Sequence, residues 1–330
     1  MARPPRAIAL PLRDGIGASA VAVPAGPWPT VLDFLAERLP VLGRAGWQAR
    51  LQAGEVFGDD ARPLAPHAPC PAGQHLHYYR WHADEPALPQ DEHVVHQDEW
   101  LVVADKPHFM PVTPAGRFAR QSLLARLRRR LGLDALSPVH RIDRDTAGLV
   151  VFAVQPRTRG AYQALFRDRA VRKVYEAVAA HRPALDFPRR HASRLEPDPD
   201  RFFVSREVPG APNSLTDLKR LAVHGEHALY RLHPVTGQRH QLRLHMAALG
   251  LPILGDAFYP EVRHAAGTDD WRRPLQLLAR GIAFTDPVTG QARHFESTRR
   301  LAAAEGRWPA PDDAGLQPSP SGDTSVSGHG

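Results

Sequence analysis

Apolar residues along this chain recur with two spacings, one helical and one strand-like. Residues 28–58 show the helical spacing and predict two short helices. The first follows Thr30, a residue type that caps helix N-termini, and ends at Pro40. The second contains Trp47 and ends at Gly54. The chain therefore opens with a small helical module.

The rest of the chain is dominated by strand-like segments. Short apolar or alternating stretches predict strands at 75–81, 100–104, 149–154, 171–180, 228–233, 282–286 and 291–297. Helical spacing predicts further helices at 122–130, at 158–166 and from His240 to a glycine cap at Gly250. Residues 181–215 show little periodicity and are predicted to form loops and edge strands. Many strands with few, irregularly placed helices favour an α+β fold over a doubly wound sheet.

Composition shifts divide the chain into four parts. We expect an N-terminal extension at 1–19, a small module of a helix pair and strands at 20–83, and a main domain at 84–308. The main domain begins with an acidic, Pro-containing stretch at 84–90 that is typical of linkers. The Pro-, Ser-, Gly- and Asp-rich tail at 309–330 is predicted to be disordered.

Overall composition excludes several classes of protein. The 330 residues are 43% hydrophobic, which is typical of a globular chain with a real core. The single cysteine, Cys70, cannot build a disulfide framework and indicates a reducing compartment. No stretch approaches the ~18 apolar residues of a membrane span, and the opening apolar run is too short for a signal peptide. We therefore expect a cytoplasmic protein with no membrane partner.

The positive charge is concentrated in one part of the chain. The whole sequence has 42 Lys and Arg against 35 Asp and Glu, a net charge of +7. Residues 117–173 alone contain fourteen basic and four acidic residues, a net charge of +10, so the remainder carries −3. Such a local excess is typical of polyanion binders, although a solvated arginine face would show the same pattern.

The densest polar cluster is HRIDRDTAG at 140–148, directly before the apolar strand at 149–154. It places two carboxylates, Asp143 and Asp145, among basic residues where a loop enters a buried strand. Neighbouring arginines favour an ionised carboxylate, which can act as a nucleophile or base. The alternative is a structural Arg–Asp pair, and the spacing alone leaves both interpretations open.

A second cluster lies at 236–245. Arg239 and Arg243 are four residues apart and share a helix face, whereas His240 and His245 are five apart and do not. No HExxH pattern occurs, so the histidines do not predict a zinc site.

A third cluster is Lys173 and Tyr175, which alternate onto one face of the predicted strand at 171–180. A tyrosine beside cations can stack on a nucleobase, but most strand tyrosines are simply core residues. No GxGxxG or P-loop pattern supports a nucleotide cofactor.

Several motifs together identify a resemblance. HRIDRDTAGLVVFA resembles the signature of the RluA-type pseudouridine synthases, commonly written HRLDxxTSG followed by an apolar strand. The other family landmarks occur in the family's order: QDEWLVVADKP at 97–107, KVYEAV at 173–178, TGQRHQLRLHMAALGLPILGDAFY at 236–259 and AFTDPVTG at 283–290. The resemblance spans roughly residues 90–300, and four motifs in the right order leave little risk of a chance match.

The resemblance implies an enzyme that isomerises uridine to pseudouridine in a stem-loop of ribosomal or transfer RNA. It implies a central mixed, mainly antiparallel sheet with flanking helices, no cofactor, no metal and a monomer. Residues 20–82 are faintly similar to the small RNA-binding module of many relatives. The alternatives are a catalytically silent RNA-binding protein and a metal-dependent RNA hydrolase, and the sequence supplies no ligand cluster for the latter.

The same resemblance assigns site residues. Asp143 would be the catalytic aspartate and Asp145 structural, Arg243 would pair with Asp143, and Tyr175 would stack on the flipped uracil. The expected RNA contacts are His140, Arg141, Arg144, Lys173, Arg239, Arg128 and Arg129.

The sequence departs from the family pattern at several positions. Gln238 and Arg239 stand where the family typically has Arg-Thr, and Leu278 stands where a histidine is usual.

Overall fold

The computed structural model describes residues 10–80, 85–263 and 269–308. Residues 1–9 of the predicted N-terminal extension and the tail predicted to be disordered at 309–330 lie outside these residues. Within the described part of the chain, no helix is both long enough and apolar enough to span a bilayer.

The N-terminal module contains both predicted helices. Its elements are β1 (Ser19–Ala22), α1 (Val31–Arg38), α2 (Gly43–Gln52), β2 (Val56–Phe57) and β3 (His75–Tyr78). Thr30 caps α1 as predicted, because its hydroxyl accepts from the Asp33 amide while the Asp33 carboxylate accepts from the Thr30 amide. The three strands pair antiparallel in the order β1–β3–β2, and the helices pack Phe34 and Trp47 against Leu76.

The main domain is built on one eleven-stranded sheet. Its strands are β4 (His93–Gln97), β5 (Leu101–Lys106), β6 (Ser137–Pro138), β7 (Ala147–Ala153), β8 (Arg172–Ala180), β9 (Arg189–Pro197), β10 (Ser205–Val208), β11 (Ser214–His224), β12 (His227–Pro234), β13 (Leu277–Thr285) and β14 (Ala292–Glu296). The helices are α3 (Leu123–Leu131), α4 (Arg159–Arg167) and α5 (Gln241–Ala248).

The sheet order is β10–β9–β11–β12–β8–β13–β7–β5–β4, with β14 paired to β13 and β6 paired to β7. Among the strand pairs of the described residues, β7 with β13 is parallel and the others are antiparallel. The predicted α+β fold with a mixed, mainly antiparallel sheet is confirmed.

The prediction was incomplete between residues 181 and 224. Here β9 and β11 are long paired strands, where the sequence indicated only loops and edge strands up to residue 215. The β9 sequence RRHASRLEP carries arginines and small polar residues instead of a clear apolar alternation. Its pairing with β11 from Ser214 to Leu218 supplies the order that the local pattern lacks.

Helices cover the sheet on both faces around β5 and β7. Val102 and Val150 pack with α3, whereas their neighbours Val103 and Val151 pack with Tyr162 of α4. Because these strands are buried on both faces, their sequence is a continuous apolar run. Helix α5 packs through Leu242 and Met246 on β8 and β12.

Gly148 forms the junction where β7 meets β13. Its φ of +112° lies in a region that side chains other than glycine rarely adopt. A Cβ atom there would lie 2.3 Å from the carbonyl oxygen of Ala279 on β13. The glycine of the HRIDRDTAG motif is therefore required by the close approach of two backbones.

We predict that Gly148→Ala lowers the free energy of unfolding by about 2–4 kcal/mol, because the added methyl group must push β13 away and strain the backbone. Urea denaturation measures this change. Gly160→Ala is the matched control: it lies in α4 with no atom near the new methyl group, and should stabilise the protein by up to about 1 kcal/mol. Equal stability of the two variants would contradict the prediction.

Candidate active site

Asp143 lies on the loop between β6 and β7. The loop turns back on itself through a hydrogen bond from the Thr146 amide to the Asp143 carbonyl, at 3.2 Å. The side chain of Asp143 is 31% exposed, so its carboxylate is accessible from solvent. Entry into the rigid, buried strand β7 fixes the position of this loop.

Lys106 holds the backbone of the same loop through a hydrogen bond. This fully buried residue donates through Nζ to the carbonyl oxygens of Pro107 and Arg144, both at 2.9 Å. Burial lowers the pKa of Lys106 to about 7, against the charges of Asp145 and Asp143, which act to raise it. The lysine thus ties the end of β5 to the backbone that follows Asp143.

Arg243 approaches Asp143 from helix α5. Its Nε and Nη2 atoms donate to Asp256 at 2.8 and 2.6 Å, and its Nη1 lies 3.7 Å from Oδ2 of Asp143. Burial acts to lower the pKa of Arg243, but the hydrogen bonds and charge of Asp256, with the charge of Asp143, raise it overall. A permanent, fully buried cation therefore faces the Asp143 carboxylate.

Asp256 is itself held by backbone. Its Oδ1 atom accepts from the amides of Phe258 and Tyr259, at 2.8 and 3.1 Å. The rings of the same two residues lie 4.8 and 5.4 Å from the Arg243 guanidinium carbon. The two hydrogen bonds to Asp256 therefore hold the Arg243 guanidinium in one orientation, and two aromatic rings lie next to it.

His240 is a site residue that the sequence analysis did not assign. It immediately precedes α5 in a left-handed conformation, with φ of 56°, and is buried. Its Nδ1 lies 2.8 Å from the Tyr259 hydroxyl and its Nε2 lies 3.9 Å from Oδ2 of Asp143. Burial lowers the pKa of His240 to about 4, so the ring is neutral at pH 7. Its spacing of three residues from Arg243, which places both on one side of α5, was the available sequence signal.

Tyr175 completes the group from strand β8. Burial raises the pKa of its phenol, and the nearby charge of Asp143 raises it further, so the ring stays un-ionised. Lys173, two residues earlier on β8, donates to the carbonyl of Thr236 at 3.0 Å. The structure thus brings together Asp143, Arg243 and Tyr175, which lie far apart in the chain.

The predicted RNA contacts fall into two groups. Arg129, Arg141 and Arg239 are exposed. Arg239 also donates to the carbonyl of Phe202 at 2.7 Å, which holds its side chain across the surface. Their predicted contact with RNA stays a prediction.

His140 belongs to the second group, whose polar atoms are already engaged. Its Nε2 accepts from the Val151 amide at 3.0 Å, and its ring stacks on Phe166 with centroids 4.4 Å apart. Burial lowers the pKa of His140 to about 3, so it carries no charge for a phosphate. In the structure His140 supports the backbone of β7, and its predicted contact with RNA stays a prediction.

Arg128 and Arg144 also bind groups of the protein. Arg128 donates to the carbonyls of Leu136 and Gly15, which joins α3 to the N-terminal extension. Arg144 is paired with Asp145 at 2.9 Å and with Asp269 at 2.5 Å. Both guanidinium groups bind protein atoms in the structure, and their predicted contact with RNA stays a prediction.

Acids from outside residues 117–173 also offset the local charge excess. Asp14 pairs with Arg120, and Asp91 pairs with Arg126. Glu92 pairs with both Arg126 and Arg130, and Asp269 pairs with both Arg117 and Arg144. The net charge of +10 read from the sequence is thus partly neutralised within the fold.

Within the described residues, one group has side chains of metal-ligand type. It comprises His191, Glu207 and His245, whose ligand atoms lie within 4.8 Å of one another. These atoms hydrogen-bond with each other and with neighbouring hydroxyls: His191 Nε2 lies 2.9 Å from Glu207, and His245 Nδ1 lies 2.9 Å from the Thr216 hydroxyl. The group lies on the other side of α5 from Arg243, away from Asp143.

Comparison with known proteins gives consistent similarities. Residues 100–248 match a family described as RNA pseudouridylate synthase. An uncharacterised RNA pseudouridine synthase of Synechocystis is 31% identical over 69% of this chain and 79% of its own length. The dual-specificity RNA pseudouridine synthase RluA of Haemophilus influenzae is 30% identical over 62% and 91%. A tRNA pseudouridine synthase C of Pasteurella multocida is 30% identical over 60% and 87%.

The fold is also shared with a solved structure. Human RNA pseudouridylate synthase domain containing 1 superposes with a TM-score of 0.54 at 22% identity, covering 68% of this chain and 90% of that one. At this identity the likeness concerns the fold.

We predict that Asp256→Ala lowers the free energy of unfolding by about 3–5 kcal/mol, because it leaves the buried Arg243 cation without its main partner. Chemical denaturation measures the change. Asp217→Ala is the control: Asp217 also forms a two-pronged pair, with Arg190 at 2.6 and 3.1 Å, but on the surface. Its loss should leave stability nearly unchanged. Similar losses for both variants would show that burial of the pair is not what matters.

Proposed function

Because the chain belongs to the RluA-type family of RNA pseudouridine synthases, and is therefore an isomerase that acts on uridine in RNA, we propose that Asp143 performs this reaction on a stem-loop of ribosomal or transfer RNA. The observation that carries the proposal is one juxtaposition. An accessible carboxylate lies 3.7 Å from the buried Arg243 cation, and the charge of this carboxylate helps to raise the pKa of the Tyr175 phenol.

The reaction requires a nucleophile or base at the sugar. The N1–C1′ bond of uridine breaks, uracil turns while it stays bound, and a C5–C1′ bond forms. C5 loses its proton and N1 gains one, so the product is an isomer of the substrate. Asp143 can either attack C1′ or remove a sugar proton, and both routes need a carboxylate with a free lone pair. Arg243 and His240 approach Asp143 at 3.7 and 3.9 Å, beyond hydrogen-bond distance, so its oxygens remain available.

Tyr175 fits the role of a platform for the flipped base. An uncharged aromatic ring offers a stacking surface to any uracil orientation, so the base can turn without leaving the pocket. Its position on β8, between β12 and β13 in the sheet, makes that surface rigid.

Binding and flipping of the RNA are assigned to the exposed arginines. Arg129, Arg141 and Arg239 can bind phosphates, which offsets the few kcal/mol that base flipping costs. Lys173 fits the rim of the pocket, where its Nζ is held by the Thr236 carbonyl. His140, Arg128 and Arg144 position protein elements in this proposal.

The class of substrate is supported by the relatives. One of them is named for tRNA and another for dual specificity, which agrees with a structured RNA target.

We place the enzyme in the cytoplasm as a monomer; the single cysteine supports a reducing setting. The competing function, a catalytically silent RNA-binding protein, predicts that the chemistry of Asp143 is dispensable.

We predict that Asp143→Asn reduces pseudouridine formation to below about a thousandth of the wild-type rate, the order of loss seen when a catalytic aspartate is removed. RNA binding should persist, because the exposed arginines are unchanged. Pseudouridines in rRNA and tRNA are mapped in cells that lack the gene, then in cells complemented with each variant. Asp145→Asn is the control and should stay within about ten-fold of wild type, since Asp145 pairs with Arg144 outside the reacting group.

A retained modification in the Asp143→Asn strain would disprove the assignment of Asp143. No modification lost on deletion of the gene, with the purified protein inactive on the same RNA, would favour the silent RNA-binding protein.

We predict that His240→Asn lowers kcat on the order of a hundred-fold with little change in KM, because Asp143 loses a neighbour that limits its position. Asparagine tolerates the left-handed backbone, so the melting temperature should change little. Steady-state kinetics and a thermal melt provide the two readouts. The exposed His224→Asn is the control and should leave both unchanged. A rise in KM at constant kcat would show that His240 binds RNA instead.

A further inference from the structure

The hairpin between β9 and β10 presents a phenylalanine to solvent. Phe202 is 83% exposed, whereas its neighbour Phe203 points inward against a cluster that contains Leu195 and Leu244. Single exposed apolar residues are common on proteins, so exposure by itself assigns no role. The surroundings of Phe202 are what distinguish it.

The tip of the hairpin has a defined backbone. One oxygen of the Asp198 carboxylate accepts from the amides of Asp200 and Arg201, at 3.0 and 2.9 Å. The Val204 amide donates to the Arg201 carbonyl at 2.9 Å, and Arg239 donates to the Phe202 carbonyl at 2.7 Å. The ring of Phe202 is therefore held out on a fixed support, and part of that support comes from the residue just before His240.

A row of aromatic rings connects this tip to the catalytic aspartate. The ring centroids of Phe202 and Phe203 are 5.6 Å apart, those of Phe203 and Phe258 are 5.6 Å apart, and those of Phe258 and His240 are 5.9 Å apart. His240 in turn lies 3.9 Å from Asp143. Phe202 is the solvent-exposed outer end of this row, and His240 is its inner end.

Exposed arginines adjoin the tip, together with the acidic residues Asp198 and Asp200 of the same turn. Arg201 pairs with Asp198 at 3.2 Å but keeps 52% of its side chain in solvent. Arg206 and Arg239 are also exposed. An apolar ring framed by arginines matches the chemistry of a nucleotide, which has a flat aromatic base and a charged phosphate.

We propose that Phe202 stacks on an unpaired base of the substrate RNA that lies close to the target uridine, while Arg201 and Arg239 bind the adjoining phosphates. This proposal rests on the proposed function, because the base belongs to the RNA that Asp143 modifies. It adds a specificity element: substrates with an unpaired base at that position bind more tightly than fully paired ones.

The test compares variants at position 202 on total RNA extracted from cells that lack the gene. Phe202→Ala should lower kcat/KM about ten-fold or more, through KM, because one base–aromatic stack is lost. Phe202→Trp should retain wild-type kinetics, and Phe202→Leu should resemble Phe202→Ala because it has no π face. Val41→Ala, at an 85% exposed position of the N-terminal module, is the matched control and should have no effect.

A second measurement identifies the contact directly. A photo-cross-linking p-benzoylphenylalanine at position 202 should attach to RNA at a nucleotide in the same loop as the modified uridine. Since Phe202 is exposed, these variants should fold as the wild type does, and a thermal melt checks this.

Three results would overturn the proposal while leaving the proposed function intact. They are unchanged kinetics of Phe202→Ala, full activity of Phe202→Leu, and cross-links to a second copy of the chain in place of RNA. If the wild-type protein forms no pseudouridine in this RNA, the proposed function fails as well.

Discussion

The buried ion pair between Arg243 and Asp256 is the interaction on which the arrangement of the site depends. Burying two charges is costly unless their hydrogen bonds are satisfied, and here the cost is offset by a two-pronged contact and two backbone amides on Asp256. This arrangement uses two nitrogens of the guanidinium and leaves the third to face Asp143. The pair therefore fixes a cation at one defined place in the pocket wall.

Arg243 is hydrogen-bonded to the carboxylate of Asp256 but lies beyond hydrogen-bond distance from that of Asp143. Asp256 receives four hydrogen bonds at 2.6–3.1 Å, whereas Asp143 has Arg243 and His240 at 3.7 and 3.9 Å. A carboxylate with all its lone pairs engaged is structural, and one that is oriented but not satisfied can react. The distinction between supporting and reacting aspartate is thus a matter of about one ångström in the placement of each carboxylate.

The arginine-rich composition serves two purposes that the amino-acid counts cannot separate. Arg128 and Arg144 bind backbone or carboxylate groups and join elements of the fold, while Arg129 and Arg141 remain at the surface. Only the internally paired arginines are committed to the fold, so the charge available to RNA is smaller than the sequence total.

The sequence by itself determined the fold class, the helices and most strands, the family, and a compact set of candidates around Asp143, because periodicity, caps and motif order are local properties. It did not predict β9 and β11 in full, since their stability comes from pairing with each other. It also did not separate the free arginines from the engaged ones, because Asp269 and Arg144 are distant in the chain. Only the tertiary structure decided that His240 lies 3.9 Å from Asp143 and that a row of aromatic rings joins His240 to the exposed Phe202. Both depend on where α5 and the β9–β10 hairpin pack, and no local pattern encodes that packing.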